Sequence, residues 1–346
     1  MFSEAVGGLA PLINNLGWTL LHFLWQGLAG ALVFALLMQL LGKRSATARY
    51  TVGLTVFTAT AFLPVVTFLT METTTGPVGG ITAVTITAAG AVVTDFWSRV
   101  PAMIEPLLPL AVGAWFSGVL MLSLRLAGDW RWVHHLRTTE VWELPEHCAA
   151  IVENLCTRLG LTKPVPTVVS AAVPCPTVIG WLRPMILIPA STLVGLTPQQ
   201  LEMIITHEIA HIRRHDFVIN LFQVCVETVL FYHPAVRWMS GQIRSEREHC
   251  CDDYVVASSY DATSYARALA ELEQARSLPA QFAVAASGGS LVRRIHRLID
   301  DCSSAGGSAV VATGLMIAAL ILIGLAVIPF DAPESHNVDN VKPIAI

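Results

Sequence analysis

His207 and His211 stand four residues apart, with Glu208 directly after the first, in the run Thr206-His-Glu-Ile-Ala-His-Ile-Arg213. On a helix this spacing puts both imidazoles on one face, so they can share a single tetrahedral ion. Glu208 adjoins the first ligand and can reach a water in the open position without itself ligating. Zinc suits such a donor set and lowers the pKa of a water it holds to about 7. Glu208 would accept that water's proton as it attacks a peptide carbonyl, then pass it to the leaving amine. The implied chemistry is zinc-dependent peptide hydrolysis, with Glu208 catalytic. A surface pair of histidines is the competing explanation, and the helical setting argues against it.

Thr197-Pro-Gln-Gln200 opens that helix. Thr197 can cap, Pro198 suits the first helical position, and Gln200 stands where a capping box wants Glu or Gln. The helix is expected to continue to about Arg214, with the motif in its third and fourth turns. His215 lies a turn too far along to share the ion and reads as a surface or supporting residue. Asp216 could anchor the helix end or a neighbouring base.

Catalytic zinc usually takes three protein ligands and keeps one position open. The third is expected in Arg244-Ser-Glu-Arg-Glu-His-Cys-Cys-Asp-Asp253, where Glu246, Glu248, His249, Asp252 and Asp253 qualify by type. Glu248 and Asp252 share a helical face, so one could ligate while the other orients a ligand histidine through its second nitrogen. Spacing alone does not choose between Glu248 and Glu246. Glu246 and Asp253 also fit a solvated, charged helix face. The seven cysteines form no disulfide-like framework and read as reduced thiols of a cytosolic domain. Cys250 and Cys251 point to different helix faces, which makes a two-Cys, two-His zinc site a poor fit.

The elements that must carry these residues are set by an apolar composition. Hydrophobic residues make up 54% and charged residues 13%, and mean hydropathy is +0.60. A soluble chain carries about 25% charged residues, so this one lacks the polar surface to face water all round. A net charge of −4 without a basic stripe argues against direct nucleic-acid binding. Segments near Leu16–Leu41, Tyr50–Thr70, Leu107–Leu126 and Ser308–Ile328 are each long enough to span a bilayer, which gives four expected transmembrane helices. Lys43, Arg44 and Arg49 sit between the first two spans. Arg125, Arg131 and Arg137 follow the third, and Arg293, Arg294 and Arg297 precede the fourth. By the positive-inside bias these loops are cytoplasmic, and the N-terminus, the Thr/Gly-rich 71–100 connection and the tail are external. Phe217–Trp238 is apolar but contains Asn220, Gln223, Glu227 and His233. It reads as a buried domain helix, or a hairpin on the membrane surface, rather than a crossing.

The region between is expected to be an α+β domain. Pro166–Ser170, Thr177–Gly180 and Met185–Ile188 read as strands of a small antiparallel sheet. The organisation is therefore residues 1–127 with three spans, 128–305 as a cytoplasmic metalloprotease domain, 306–329 as the fourth span, and 330–346 as a short external tail. Ser277–Ser290, rich in small residues, is expected to be a flexible cytoplasmic loop and a candidate site of self-cleavage.

Four stretches resemble the BlaR/MecR antirepressor metallopeptidases, bacterial membrane gluzincins: Pro176–Pro189, His207–Asp216, His233–Trp238 and Glu246–Asp252. The resemblance extends from about residue 10 to 328. It implies a gluzincin-like zinc domain inserted among the spans, with Glu248 as third ligand beside His207 and His211 and with Asp252 supporting the site. The family has Ala where this chain has Cys250. Antibiotic-sensing members carry a penicillin-binding sensor after the last span, and nothing in 330–346 corresponds to it. The resemblance implies a multi-pass protein of the bacterial inner or plasma membrane that cleaves a cytoplasmic protein such as a transcriptional repressor. A broad quality-control protease is the alternative within the enzyme class. A non-enzymatic zinc scaffold would have no use for Glu208, and a transporter would need more buried charge in its spans.

Overall fold

The computed structural model describes residues 2–42, 44–73, 103–136, 141–161, 165–180, 184–258, 260–277 and 284–300. The expected fourth span, the tail and nearly all of the 71–100 connection lie outside the described residues.

Three long apolar helices lead the chain: α1 (Phe2–Leu40), α2 (Ala46–Thr73) and α3 (Leu108–Leu136). Within them Leu9–Leu40, Ala46–Met71 and Glu105–His135 are long and apolar enough to cross a membrane. α1 and α2 pack around Phe23, Phe34, Val52 and Phe57, all at most 1% exposed. α3 runs past the expected end at Leu126 because no proline interrupts it, and it carries Trp130 and Trp132 exposed near its end.

The rest builds a mixed sheet and a helical layer. In order come β1 (Val141–Glu143), α4 (Glu146–Arg158), β2 (Thr167–Ser170), β3 (Thr177–Ile179), β4 (Met185–Pro189) and α5 (Ala190–Gly195). Then follow α6 (Pro198–Arg213), α7 (Asp216–Val229), α8 (Pro234–Ala257), α9 (Ala262–Ser277) and α10 (Val284–Asp300). The sheet order is β1-β2-β4-β3. The all-antiparallel expectation fails at one pairing: β2 and β4 are parallel, with Val168 opposite Leu187. β3 folds back on the outer edge of β4, which leaves β4 to lie beside β2 in the same direction. The expected loop Ser277–Ser290 is also partly helical, since α10 starts at Val284.

Ile186 and Ile188 bury one face of β4 against α4 and against Leu201, Ile205 and Ile209 of α6. The adjacent side of α6, Met203 and Ile204, packs on Tyr265 and Leu269 of α9. Each such aliphatic side chain is worth about 1.5–3 kcal/mol when buried. These two contacts fix the rotation of α6 and leave one stripe, Ile204, His207, Glu208 and His211, facing a cleft. α7 and α8 form a helical hairpin that packs on α1 and α2.

Candidate metal centre

The capping box read from the sequence is present. The Thr197 hydroxyl accepts from the Gln200 backbone N–H at 3.3 Å, and the Gln200 side chain accepts from the Thr197 N–H at 2.9 Å. Gln200 also donates to Glu271 of α9, which ties the helix start to its neighbour. At the other end His215 adopts φ 54°, the left-handed conformation that stops helices. It is the one non-glycine residue with positive φ among the described residues. The turn it makes aims Asp216 back at the helix just left.

The first ligand pair shares a face, with ring centroids 4.9 Å apart and planes at 87°. Glu248 of α8 completes a triangle: Oε2 lies 3.5 Å from His207 Nε2, and Oε1 lies 3.8 Å from His211 Nε2. Donors about 2.0–2.1 Å from a tetrahedral ion stand roughly 3.3 Å from one another. The two Glu248 separations are thus within about half an ångström of that value, and one ligand atom from each of the three residues lies within 4.8 Å of the others. No other side chain of the Arg244–Asp253 run joins them among the described residues. Glu246 faces the opposite way, bonded to Arg49 at 2.9 Å, and Asp253 pairs with Arg297.

The charges favour a cation at the shared point. Burial by itself would lower His207, but Asp252 and Glu248 outweigh it and carry the ring up to about 9. Burial would raise Glu248, but His207, His211 and Arg294 hold it down at about 2. Burial raises Glu208 above the ordinary carboxylate range, with His207 and His211 opposing, which suits a proton acceptor.

Each histidine is held from behind through its second nitrogen, as ligand histidines usually are. Nδ1 of His207 lies 3.0 Å from the Tyr265 hydroxyl and 3.4 Å from Asp252 Oδ1. Asp252 is fully buried, accepts from Tyr265 at 2.8 Å and is gripped by Arg294 through bonds of 2.9 and 2.6 Å. Nδ1 of His211 lies 2.8 Å from Asp216 Oδ2. Cys251 Sγ is 3.3 Å from the same nitrogen and 3.7 Å from the same carboxylate. His211, Asp216 and Cys251 could in principle hold an ion of their own. Burial pushes the Cys251 thiol far up, so it stays S–H and donates to Asp216, a support for His211 rather than a thiolate ligand.

The structure brings His207, Glu208, His211, Glu248 and Asp252, the residues singled out in the sequence, close to one another. Sequence reasoning left the role of Asp216 open and missed Tyr265 and Arg294. Asp216 had a readable signal, an acid just past the helix stop. Tyr265 and Arg294 come from α9 and α10, where no motif marks them.

The cleft in front of the donors has a volume of about 580 Å³. Thr177 and Val178 of the edge strand β3, with Gly180 just past its end, line it beside His207, Glu208 and His211. The arrangement can bind a cation, hold a carboxylate beside it, and take an extended chain along an unpaired strand edge.

Similarity to known proteins agrees with this geometry. A stretch of 81 residues is 26% identical to the methicillin resistance mecR1 protein of Staphylococcus aureus, covering 23% of this chain and 14% of that one. A stretch of 83 residues is 28% identical to the regulatory protein BlaR1 of Bacillus licheniformis, covering 24% of this chain and 14% of that one. The chain thus spans only a small part of the length of these relatives. The family model BlaR1 peptidase M56 matches residues 18–298, which takes in most of α1, the other two apolar helices, the sheet and both halves of the donor cluster, and the chain belongs to that family.

Proposed function

We propose that the chain is a membrane-embedded, zinc-dependent endopeptidase with a cytoplasmic active site that cleaves a regulatory protein such as a transcriptional repressor. The observation that carries this reading is the convergence of His207, His211 and Glu248 on one point, with Glu208 beside it in an open cleft. Zinc bound there would supply Lewis acidity at an open coordination position. Glu208 would hold and move the proton, and Asp252, Tyr265 and Asp216 would fix the two imidazoles. β3 would align the substrate as an added strand.

The cytoplasmic assignment has a physical support in Arg49. This residue belongs to the basic α1–α2 connection and bonds Glu246, two residues before Glu248. The centre is therefore on the same side as the charges that the positive-inside bias keeps inside. In the relatives the regulatory role is part of longer proteins, and repressor cleavage enters here through that kinship alone.

The decisive experiment compares wild type with Glu208→Gln. Both should bind about one zinc per chain, while the variant should lose proteolysis by roughly 10²–10⁴. Loss of a cellular protein fragment in the variant would identify the substrate. Activity within a few-fold of wild type would refute Glu208 as the base, and zinc retained in Glu248→Ala would refute the ligand set.

A further inference from the structure

The α7–α8 hairpin leaves the metal centre and returns to it, and its tip lies far from the domain. The Tyr232 hydroxyl donates to the Leu20 carbonyl at 3.1 Å, and His233 Nε2 donates to the Leu24 carbonyl at 3.0 Å. Trp115 of α3 donates to the Val229 carbonyl at 2.8 Å. All three partners lie inside the apolar stretches Leu9–Leu40 and Glu105–His135. Leu24 precedes Leu40 by sixteen residues, which at 1.5 Å per residue is about 24 Å of helix. A bilayer's hydrocarbon core is about 30 Å thick.

Glycines in the spans make room for the tip. A Cβ on Gly118 would come within 2.3 Å of the Phe231 ring, and one on Gly27 within 2.7 Å of the His233 ring. Along the way Phe222 meets Phe57, and Trp238 meets Phe34, edge to face. At the base Arg214 lies over the Tyr50 ring, and Arg49 bonds Glu246. The order of these contacts follows α1 and α2 continuously from their basic connection toward the level of Leu24.

The outward side of α7 is the second observation. Its exposed positions are Val218, Cys225 and Val229, which fall on one helical stripe without a charge. Polar groups of the hairpin instead turn inward: Gln223 donates to the Ser240 hydroxyl at 2.8 Å, and Glu227 pairs with Arg244 at 2.7 Å. A helix facing water shows the reverse pattern. Among the charged residues of the hairpin Arg237 is the exposed exception. Its neighbour Trp238 is level with Phe34, about 9 Å from the end of α1, and an arginine there can extend its head toward the headgroups.

We infer that the α7–α8 hairpin is a re-entrant membrane element. It enters from the side of the basic loops, exposes Val218, Cys225 and Val229 to acyl chains, and turns at Leu230–His233, level with Leu24 and deep in the hydrocarbon core. The metal centre stands at its base, so the cleft opens at the membrane surface, where Phe217 of the cleft wall meets Trp130. A protein segment cut there must come to the bilayer surface or be tethered close to it. The insertion itself does not depend on proteolysis.

Spin labelling of the full chain in lipid nanodiscs tests this. Cys175, Cys225 and Cys302 are replaced by serine, and single cysteines are placed at Val218, Cys225, Val229 and Gln242. Val194, 90% exposed on the domain, is the aqueous control. Relaxation by a water-soluble nickel chelate should be full at Val194, reduced at Val218 and nearly lost at positions 225 and 229, with oxygen showing the opposite order. Gln242 should regain it. Nickel relaxation at 225 and 229 equal to that at Val194 would overturn the inference. Impermeant maleimide applied to oriented vesicles separates re-entry from crossing: Val218 and Gln242 should react from the same side, and reaction from opposite sides would refute the hairpin. Should a labelled position fail to fold, Val229→Asp against Val194→Asp provides an independent readout. Loss of folded protein in both, or in neither, would overturn the inference.

Discussion

Removing the Asp252 carboxylate should separate two effects that usually travel together. Asp252 is 0% exposed and accepts from Tyr265 and twice from Arg294, itself 16% exposed on its side chain. Asp252→Ala leaves a largely buried guanidinium with only Glu248, 3.5 Å away, as a carboxylate partner, and breaking a buried pair typically costs about 3–5 kcal/mol. That is a large share of the roughly 5–15 kcal/mol that holds a domain folded. The same change frees the His207 ring, a loss worth about 10–100-fold in metal affinity when an orienting partner of a ligand histidine is removed. The double variant Asp252→Ala/Arg294→Met removes both charges and should recover most of the stability, because an absent pair costs far less than a broken one. It should not recover metal affinity, since His207 still lacks its carboxylate. Thermal unfolding and zinc competition titration, run on the single and double variants, read the two quantities separately. Recovery of full zinc affinity in the double variant would refute the orienting role of Asp252. An unchanged unfolding temperature in the single variant would refute the buried pair.

Gly118→Ile should force a side chain into the Phe231 ring and destabilise by about 1–3 kcal/mol, and Phe231→Ala should relieve it; equal unfolding temperatures for Gly118→Ile in both backgrounds would refute the contact. His215→Gly should be neutral or stabilising by up to about 1 kcal/mol, whereas His215→Val should cost about 1–2 kcal/mol, because only glycine takes a positive φ freely; chemical denaturation of the two variants checks the sign. Thr197→Ala should cost about 0.5–2 kcal/mol by removing the cap of the metal-site helix, measured the same way, with no change in zinc stoichiometry.

The parts of the fold legible in the sequence were those governed by local rules. The Thr197 cap, the helical spacing of His207 and His211 and the apolar spans all depend on residues a few positions apart. Glu248 could not be told from Glu246 by composition. Two residues rotate a helix by about 200°, and only the packing of α8 decides which carboxylate faces the histidines. The sheet was misjudged at β2 and β4 because pairing depends on where β3 goes after its turn. Asn220, Gln223, Glu227 and His233, taken in isolation, argued against a full membrane crossing. Gln223, Glu227 and His233 find partners inside the protein at Ser240, Arg244 and the Leu24 carbonyl, and Asn220 lines the cleft. A polar residue counts against insertion only while its partner is unknown.

The three donors owe their positions to different cores. His207 and His211 ride on α6, whose rotation is set by the sheet, α4 and α9. Glu248 rides on α8, whose neighbours Ile243 and Cys250 are buried with Phe34 and Phe57 in the core of α1 and α2. An ion held by all three would join the domain to the membrane helices at the point where Arg49 already ties them. Binding of that kind adds stability as RT ln(1 + [L]/Kd), about 2.7 kcal/mol at a hundredfold excess over Kd. Linkage then requires the converse: any movement of α8 against α6 that strains the triangle must weaken metal affinity by the same free energy. A displacement of about 1 Å between the two cores is large beside the gap between the 3.5 and 3.8 Å separations from Glu248 and the roughly 3.3 Å that a shared ion requires. The active geometry therefore depends on how the domain sits on the spans as much as on the motif itself.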